Sequence, residues 1–463
     1  MISENTDMII AAIKEDLGRS DFEAEGLELL ALELDIQHTL DNLKKWMYPT
    51  YTSAPIFMAP ASSEIHHEPF GVCLVIGAFN YPVQLTLSPL VGAIAAGNCC
   101  VIKPSDMAVK CEEIIKHLVP KYLDNDCFEC VVGPVSTSTK LLEQKWDKIF
   151  FTGSPRVGKI VAVAAAENLT PVTLELGGKS PVIVDSSVTD MALVTRRIMW
   201  GNCANAGQTC IAPDYVLCEE KIFDQFVSSL IDTVSLFYGK SDEDVSTSDH
   251  LGRIISKEHT QRLKKLIDEN KSCISYGGKV NVASKYVQPT IFTNPPASSR
   301  LLSEELFGPL LPVIKYKDIS QIHKKIAAIG EKPLSMYIFS KNRKFVDQLI
   351  GTIQSGGVVV NDVMMHFGNC SLPFGGIGNS GVGFYHGQFS YECFSHKRAV
   401  LRRDDHTALD VPFRYPPYHK FGLNFFQFAA RYIPNQPVIS TSTLTGAVII
   451  ATLIWYAGNK YQY

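Results

Sequence analysis

The feature that most restricts the fold of this 463-residue chain is a regular alternation that begins at residue 72. A short apolar run at 72–76 is followed by a helical stretch near 83–96. A second run at 99–102 is followed by a helix at 108–118, and the theme repeats at 130–132, 148–151 and 172–174. Such short runs, rich in Val, Ile, Cys and Phe, read as buried strands. Strand, helix, strand at roughly 20–30-residue spacing predicts a parallel sheet, because parallel neighbours need a helical crossover. A second series puts strands at 181–184, 214–218, 312–316, 335–339 and 357–360. Its helices fall at 188–200, 222–237, 258–269 and 343–352. The glycine-rich Leu176-Gly177-Gly178 separates the two series. Upstream, Ile9, Ile10, Ile13 and Leu17, then Leu27, Leu30 and Leu34, recur at helical spacing. Residues 51–69 (Pro55, Pro60, His66, His67) break that pattern and suit an extended hairpin. The expected fold is α/β, with two parallel-sheet domains, a small β element and a C-terminal hydrophobic helix.

Composition removes several functions. Lys+Arg number 43 and Asp+Glu 47, a net charge of −4, so no large basic face exists for nucleic acid. Apolar types make up 46% and charged types 19%, which excludes a disordered or collagen-like chain and asks for a membrane segment. No charged residue lies between Arg431 and Lys460. A helix over 438–457 would be about 30 Å long, enough to span a bilayer. Ser440, Thr441, Ser442, Thr443 and Thr445 dilute its first half, and Trp455, Tyr456 and Lys460 sit where interfacial anchors belong. The alternative is a buried C-terminal helix. Residues 421–431, apolar and aromatic between Lys420 and Arg431, suit a short amphipathic helix on a membrane surface or over a tunnel mouth. The 12 cysteines show one CxxC, Cys127/Cys130, with no second pair, so no metal is expected. The N-terminus lacks a basic segment followed by an apolar run, so no secretory signal is expected, and free thiols in a reducing compartment are.

Five segments bear on chemistry. The first strand is followed by Gly77-Ala78-Phe79-Asn80, not by the GxGxxG dinucleotide fingerprint. At the end of the next strand stands Lys103-Pro104-Ser105-Asp106, whose ammonium and carboxylate can bind ribose hydroxyls, although a surface loop explains the tetrapeptide equally well. Phe151-Thr152-Gly153-Ser154-Pro155 joins a strand to a helix whose free N–H groups can face phosphate. Glu175-Leu176-Gly177-Gly178-Lys179 ends a strand with a carboxylate beside two glycines, and Gly207-Gln208-Thr209-Cys210 presents a thiol on a flexible approach. Thiolate nucleophile and carboxylate base form a plausible pair. Singly, an exposed acid and an inert buried cysteine would be the ordinary readings.

Together, in order, GAFNYP, KPSD, FTGSPRVGK, ELGGK and GQTC resemble the aldehyde dehydrogenase superfamily over residues 70–400. Glu305-Leu306-Phe307-Gly308-Pro309 and Pro373-Phe374-Gly375-Gly376-Ile377-Gly378 fit the same pattern. Residues 210–215 (CIAPDY) and 360–367 (VNDVMMHF) look like the class 3 branch, and the uncharged tail is most similar to C-terminally anchored fatty aldehyde dehydrogenases.

The resemblance implies Cys210 as nucleophile, Asn80 with the Cys210 N–H as oxyanion donors, and Glu175 as the base that activates the hydrolytic water. It implies NAD, with NADP possible, held by Lys103, Asp106, Gly153, Ser154, Glu305 and Phe307, and no metal. Asp106 replaces the usual glutamate and is one methylene shorter, which relaxes the preference for NAD over NADP. The implied organisation is N-terminal helices (1–50), a bridging hairpin (51–69), a cofactor domain (70–176) and a catalytic domain (177–395). A bridging return (396–420), an amphipathic gatekeeper helix (421–431) and a membrane anchor (437–459) follow. The implied protein is a homodimeric long-chain aldehyde oxidoreductase, its catalytic domain facing the cytosol from the endoplasmic reticulum, mitochondrial outer membrane or lipid droplet. A soluble enzyme for aromatic or medium-chain aldehydes, and an inactive scaffold, are the alternatives.

Overall fold

The computed structural model describes residues 1–432 apart from 56, 57, 59, 60, 331, 404, 406–409, 412 and 413. The chain forms two units. One comprises Met1–Asp41 with Phe70–Phe394; the other comprises Asn42–Pro69 with the described residues from Ser395 onward.

In the first unit, strand Val72–Ile76 lies between Cys99–Lys103 and Lys148–Gly153, with Phe128–Cys130 and Val172–Leu176 outside them. These five are parallel; a sixth, Gly381–Val382, closes the edge antiparallel to Val172–Leu176. The side chains of the inner strands, such as Cys73–Val75 and Lys148–Thr152, are buried on both faces, as parallel strands under helices must be. Leu74, Ile149, Phe151 and Leu174 pack with Val161 and Ala165 of helix Pro155–Glu167. Two details depart from the expected pattern. The strand expected at 130–132 is Phe128–Cys130, and the edge strand comes from more than 200 residues downstream, beyond the reach of local periodicity.

The second sheet has the order Ile274–Tyr276, Thr290–Thr293, Leu310–Tyr316, Tyr215–Glu219, Pro181–Val184, Ser335–Phe339, Gly357–Val360. All its pairs are parallel except the first. Ile183, Leu217, Ile314 and Ile338 form a core with Ile322 and Ile326 of helix Ile319–Ile329 and Leu349 of Arg343–Thr352. Phe292 and Leu310 pack with Leu263, Leu266 and Ile267 of Lys257–Glu269. Helix Ile319–Ile329 and strand Thr290–Thr293 were outside the sequence reading. The helix is marked by Asp318, whose carboxylate accepts from the Ser320 and Gln321 N–H groups.

The N-terminal segment runs Thr6–Leu17, Asp21–Ala24, a π-helical turn Glu25–Leu29, and Leu30–Trp46. Its first helix stops at Gly18 in the left-handed conformation (φ 60°).

The second unit contains a three-stranded antiparallel sheet of Thr50–Thr52, Ala61–Pro69 and Ser395–Arg403, the last two in register from Ser395↔Pro69 to Arg403↔Ala61. Helix Lys420–Tyr432 follows. No helix among the described residues is long and apolar enough to cross a membrane; the anchor predicted at 437–459 lies outside those residues.

Candidate active site

The C-terminal ends of the strands in the first sheet open into a cleft of about 470 Å³. Its wall brings together Asn80, Asp106, Gly153, Ser154, Glu175, Cys210, Glu305 and Phe307, residues scattered over 227 positions of sequence. Lys103 is the predicted residue absent from that wall. It is buried behind the cleft, with its ammonium 3.6 Å from the Asp106 carboxylate.

Glu175 ends strand Val172–Leu176, in register with Thr152 on one side and Gly381 on the other. Neither carboxyl oxygen has a hydrogen-bond partner among the described residues, and burial pushes its pKa well above the usual carboxylate range. An ionised carboxylate without donors is costly in such a place, so the protonated form is favoured.

Cys210 follows helix Met191–Cys203 across a turn in which Asn205 (φ 52°), Ala206 (φ 52°) and Gly207 (φ 75°) are all left-handed. Glycine is required at 207, since a Cβ there would lie 2.3 Å from the Gly308 carbonyl carbon. The buried Gln208 side chain holds the turn. It donates to the Asn205 and Arg253 carbonyls (both 3.0 Å) and accepts from the Ile255 N–H (2.9 Å). Burial, then the Glu305 and Glu175 carboxylates, push the Cys210 thiol up. Cys203 is fully buried in its helix, is absent from the wall of this cleft and is pushed up to about 12 by burial.

Glu305 accepts from the Gly178 N–H at 3.0 Å. Gly177 makes room for it, since a Cβ there would meet the carboxylate at 2.1 Å. Burial raises Glu305 to about 7, the Gly178 N–H partly opposing it. Behind this loop the Lys179 ammonium pairs with Asp214 and donates to the Leu301 (3.0 Å) and Glu304 (2.8 Å) carbonyls, while Asp214 accepts from the Leu306 N–H (2.9 Å). Phe307 is left-handed (φ 49°), and its ring meets Phe79 edge to face at 5.7 Å. Gly153 leaves space that a Cβ would fill against the Phe151 ring, at 2.6 Å. The Ser154 hydroxyl caps helix Pro155–Glu167 by accepting from the Val157 N–H (3.4 Å).

A second cavity of about 180 Å³ shares Cys210 with the cleft. Leu27, Tyr81, Trp200, Met365, Phe367 and Phe374 contribute to its largely apolar wall. The sequence reading missed these residues as site components, and also Arg156, His259 and Arg262, which line the cleft. Tyr81, Met365, Phe367 and Phe374 stood inside quoted motifs, whereas Leu27 and Trp200 have only the helical spacing of ordinary core residues.

The cleft fits a dinucleotide. Ser105, Asp106 and Met107 line it together with the helix N-terminus at Ser154, Glu305, and the nucleophile candidate. Two glycines, Gly153 and Gly177, leave room where a side chain would intrude.

The aldehyde dehydrogenase family model matches residues 1–400. The chain is 42% identical over 454 residues to the rat protein "Aldehyde dehydrogenase family 3 member A2", covering 98% of this chain and 92% of that one. It is similar to the solved substrate-bound state of Staphylococcus aureus AldH (TM-score 0.87, 36% identity, 92% of each chain). A Mycobacterium tuberculosis aldehyde dehydrogenase complexed with NAD+ shares the fold (TM-score 0.78, 24% identity, 88% of this chain and 84% of that one).

Proposed function

The chain belongs to the aldehyde dehydrogenase family, and within it we propose an oxidoreductase for long-chain aldehydes that works through Cys210. It is an NAD(P)-dependent enzyme that converts aldehydes to carboxylic acids. The observation that supports the assignment of Cys210 is its place in the walls of both the polar cleft and the apolar cavity. A thiol there can meet an aldehyde from one side and a cofactor from the other.

In this reading the Cys210 thiol gives its proton to water as its sulfur attacks the aldehyde carbon, and the oxygen that becomes negative is met by the Asn80 amide and the Cys210 N–H. Asn80 is suited to this role: it lines the cleft, and its side-chain amide makes no hydrogen bond among the described residues. NAD(P), held by Asp106, Gly153, Ser154, Glu305 and Phe307 with Lys103 behind, supplies the hydride acceptor. Loss of hydride from the adduct leaves a thioester on Cys210. Glu175, with both oxygens unengaged, takes a proton from the water that cleaves the thioester, and the acid departs. Only its ionised form can act in this way; burial makes that form scarcer but, once formed, more basic than an exposed glutamate.

The apolar wall of the second cavity favours an alkyl or aryl substrate over a polar one. The uncharged 437–459 segment favours the alkyl case, because a membrane concentrates long-chain aldehydes by about 0.8 kcal/mol per CH₂. The reading is completed by a homodimer anchored through that segment, its catalytic unit facing the cytosol. NADH formation by the purified protein tests the substrate. Hexadecanal should exceed hexanal and benzaldehyde in kcat/KM, and the reverse order would replace the fatty substrate with a short or aromatic one. Carbonate extraction tests the anchor, and release into the supernatant would eliminate it.

A further inference from the structure

Arg19 lies outside every motif quoted above, yet its side chain is fully buried. It stands between helices Thr6–Leu17 and Asp21–Ala24, in the N-terminal segment. Its guanidinium donates in three directions: to Glu28 Oε2 (2.5 Å), Asn205 Oδ1 (2.8 Å) and the Asn80 carbonyl oxygen (2.7 Å). The Asn205 amide donates to the same Asn80 carbonyl (2.7 Å) and to the Gln208 carbonyl (3.1 Å). Glu28 completes the frame by accepting from the Val83 (2.7 Å) and Gln84 (3.2 Å) N–H groups. The guanidinium carbon also lies 4.1 Å from the centre of the Tyr81 ring, whose hydroxyl pairs with the Thr209 hydroxyl at 2.9 Å.

A buried ion pair is a poor means of stabilising a fold, since desolvation offsets most of the attraction. What a guanidinium offers is a rigid planar fork that fixes several acceptors at once. Here two of the three acceptors belong to the two segments that must be held in register for the reaction. One carries Asn80. The other is the left-handed turn that delivers Cys210. We infer that Arg19 is a positioning residue, fixing the Asn80 amide relative to the Cys210 sulfur so that both oxyanion donors meet one oxygen. Arg19 touches no reacting atom and acts through Asn80 and Asn205. The inference rests on the reading of Asn80 as an oxyanion donor.

The test uses the full chain and the stopped-flow burst of NADH that reports acylation, with NADH affinity measured separately by fluorescence. Asn80→Ala should slow the burst about 10²–10³-fold, the usual effect of removing one oxyanion donor. Arg19→Lys keeps the charge and loses the fork. It should slow the burst by about tenfold or more while NADH affinity stays within about twofold. The double variant should be no slower than Asn80→Ala alone, because residues that act through one contact are non-additive.

Multiplying losses in the double variant, or a loss of NADH affinity parallel to the loss of rate, would overturn the inference and make Arg19 a structural residue. A slow burst in Asn80→Ala beside a normal burst in Arg19→Lys overturns the inference alone. A normal burst in Asn80→Ala overturns the oxyanion reading and the inference with it. Should Arg19→Lys not fold, Asn205→Gly keeps the left-handed backbone and removes the amide. It should then slow the burst severalfold at unchanged NADH affinity, and an unchanged burst there is equally fatal.

Discussion

Replacing Glu175 by glutamine separates the chemistry of this carboxyl from its burial. The residue is 4% exposed, both oxygens lack partners among the described residues, and burial alone raises its pKa. A group with a higher pKa in the folded state holds its proton more tightly there than in the unfolded chain. The stability it contributes is therefore complete below the unfolded pKa and is lost as pH rises through the folded one. Between those two values each pH unit removes about 1.4 kcal/mol from the wild type. Glutamine has the same shape and does not titrate. The two proteins should thus be closest in stability near pH 5, and Glu175→Gln should gain on the wild type as pH rises toward 9. Denaturant midpoints measured across that range give the difference directly, and the other titrating groups cancel in it.

Kinetics supply the second half. With its base removed, the variant should still form the thioester, releasing a burst of NADH close to stoichiometric with active sites. Turnover after the burst should fall by about 10²–10⁴. A stability gap that narrows with rising pH would mean that the carboxyl is charged and satisfied in the fold. Loss of the burst itself would move Glu175 to an earlier step, such as deprotonating Cys210.

Cys210→Ser should abolish dehydrogenase turnover while NADH still binds; Cys203→Ala, a change in a buried helix away from both cavities, should retain most activity, and the opposite outcome would reassign the nucleophile. Asp106→Glu should widen the preference for NAD over NADP, since a longer carboxylate repels a 2′-phosphate more strongly; an unchanged NAD/NADP ratio of kcat/KM would free this side chain from that role. Gly177→Ala places a Cβ 2.1 Å from the Glu305 carboxylate and should break its bond to the Gly178 N–H. That loss, about 1.5–3 kcal/mol of stability for a charged group, should lower the denaturant midpoint, and displacement of the Glu305 carboxylate should raise the KM for NAD. Glu305 has a pKa raised to about 7, and in the proposed role its carboxylate form is the one that would accept from ribose hydroxyls. The KM for NAD should therefore fall as pH rises through about 7, and Glu305→Gln should flatten that dependence.

The parts of this molecule that were legible in the sequence are those whose signal is local. Strands such as 72–76 and 335–339 are short, largely buried and largely apolar, so composition alone marks them. Site residues on strand ends and loops, including Glu175, Cys210 and Glu305, stood in glycine-flanked motifs because close approach of backbone and carboxylate requires glycine there. What stayed hidden depends on contacts between distant positions. The edge strand Gly381–Val382 has two residues and no periodicity. Leu27 and Trp200 become cavity wall only when their helices are placed around Cys210. Arg19 gives no local sign that it meets Asn205, 186 positions away.

The hidden contacts also explain how the site tolerates its own backbone. Among the described residues, four of the nine left-handed residues other than glycine lie on the segments around the site: Asn205 and Ala206 ahead of Cys210, Phe307 beside Glu305, and Met364 in the apolar wall. Each costs of order 1–3 kcal/mol and persists only where surrounding contacts over-determine it. Those contacts are present at the first two places. Asn205 is held by Arg19 and by the carbonyls of Asn80 and Gln208. The 305–307 loop is held by Arg262, which donates to the Glu305 and Leu306 carbonyls, and by the Lys179–Asp214 pair. Two buried ion pairs, Arg19–Glu28 and Lys179–Asp214, therefore sit where strain must be held, beneath the thiol turn and beneath the 305–307 loop. A buried Arg–Glu pair that adds little to global stability can still decide catalytic geometry, because the turn it restrains would otherwise relax toward right-handed backbone.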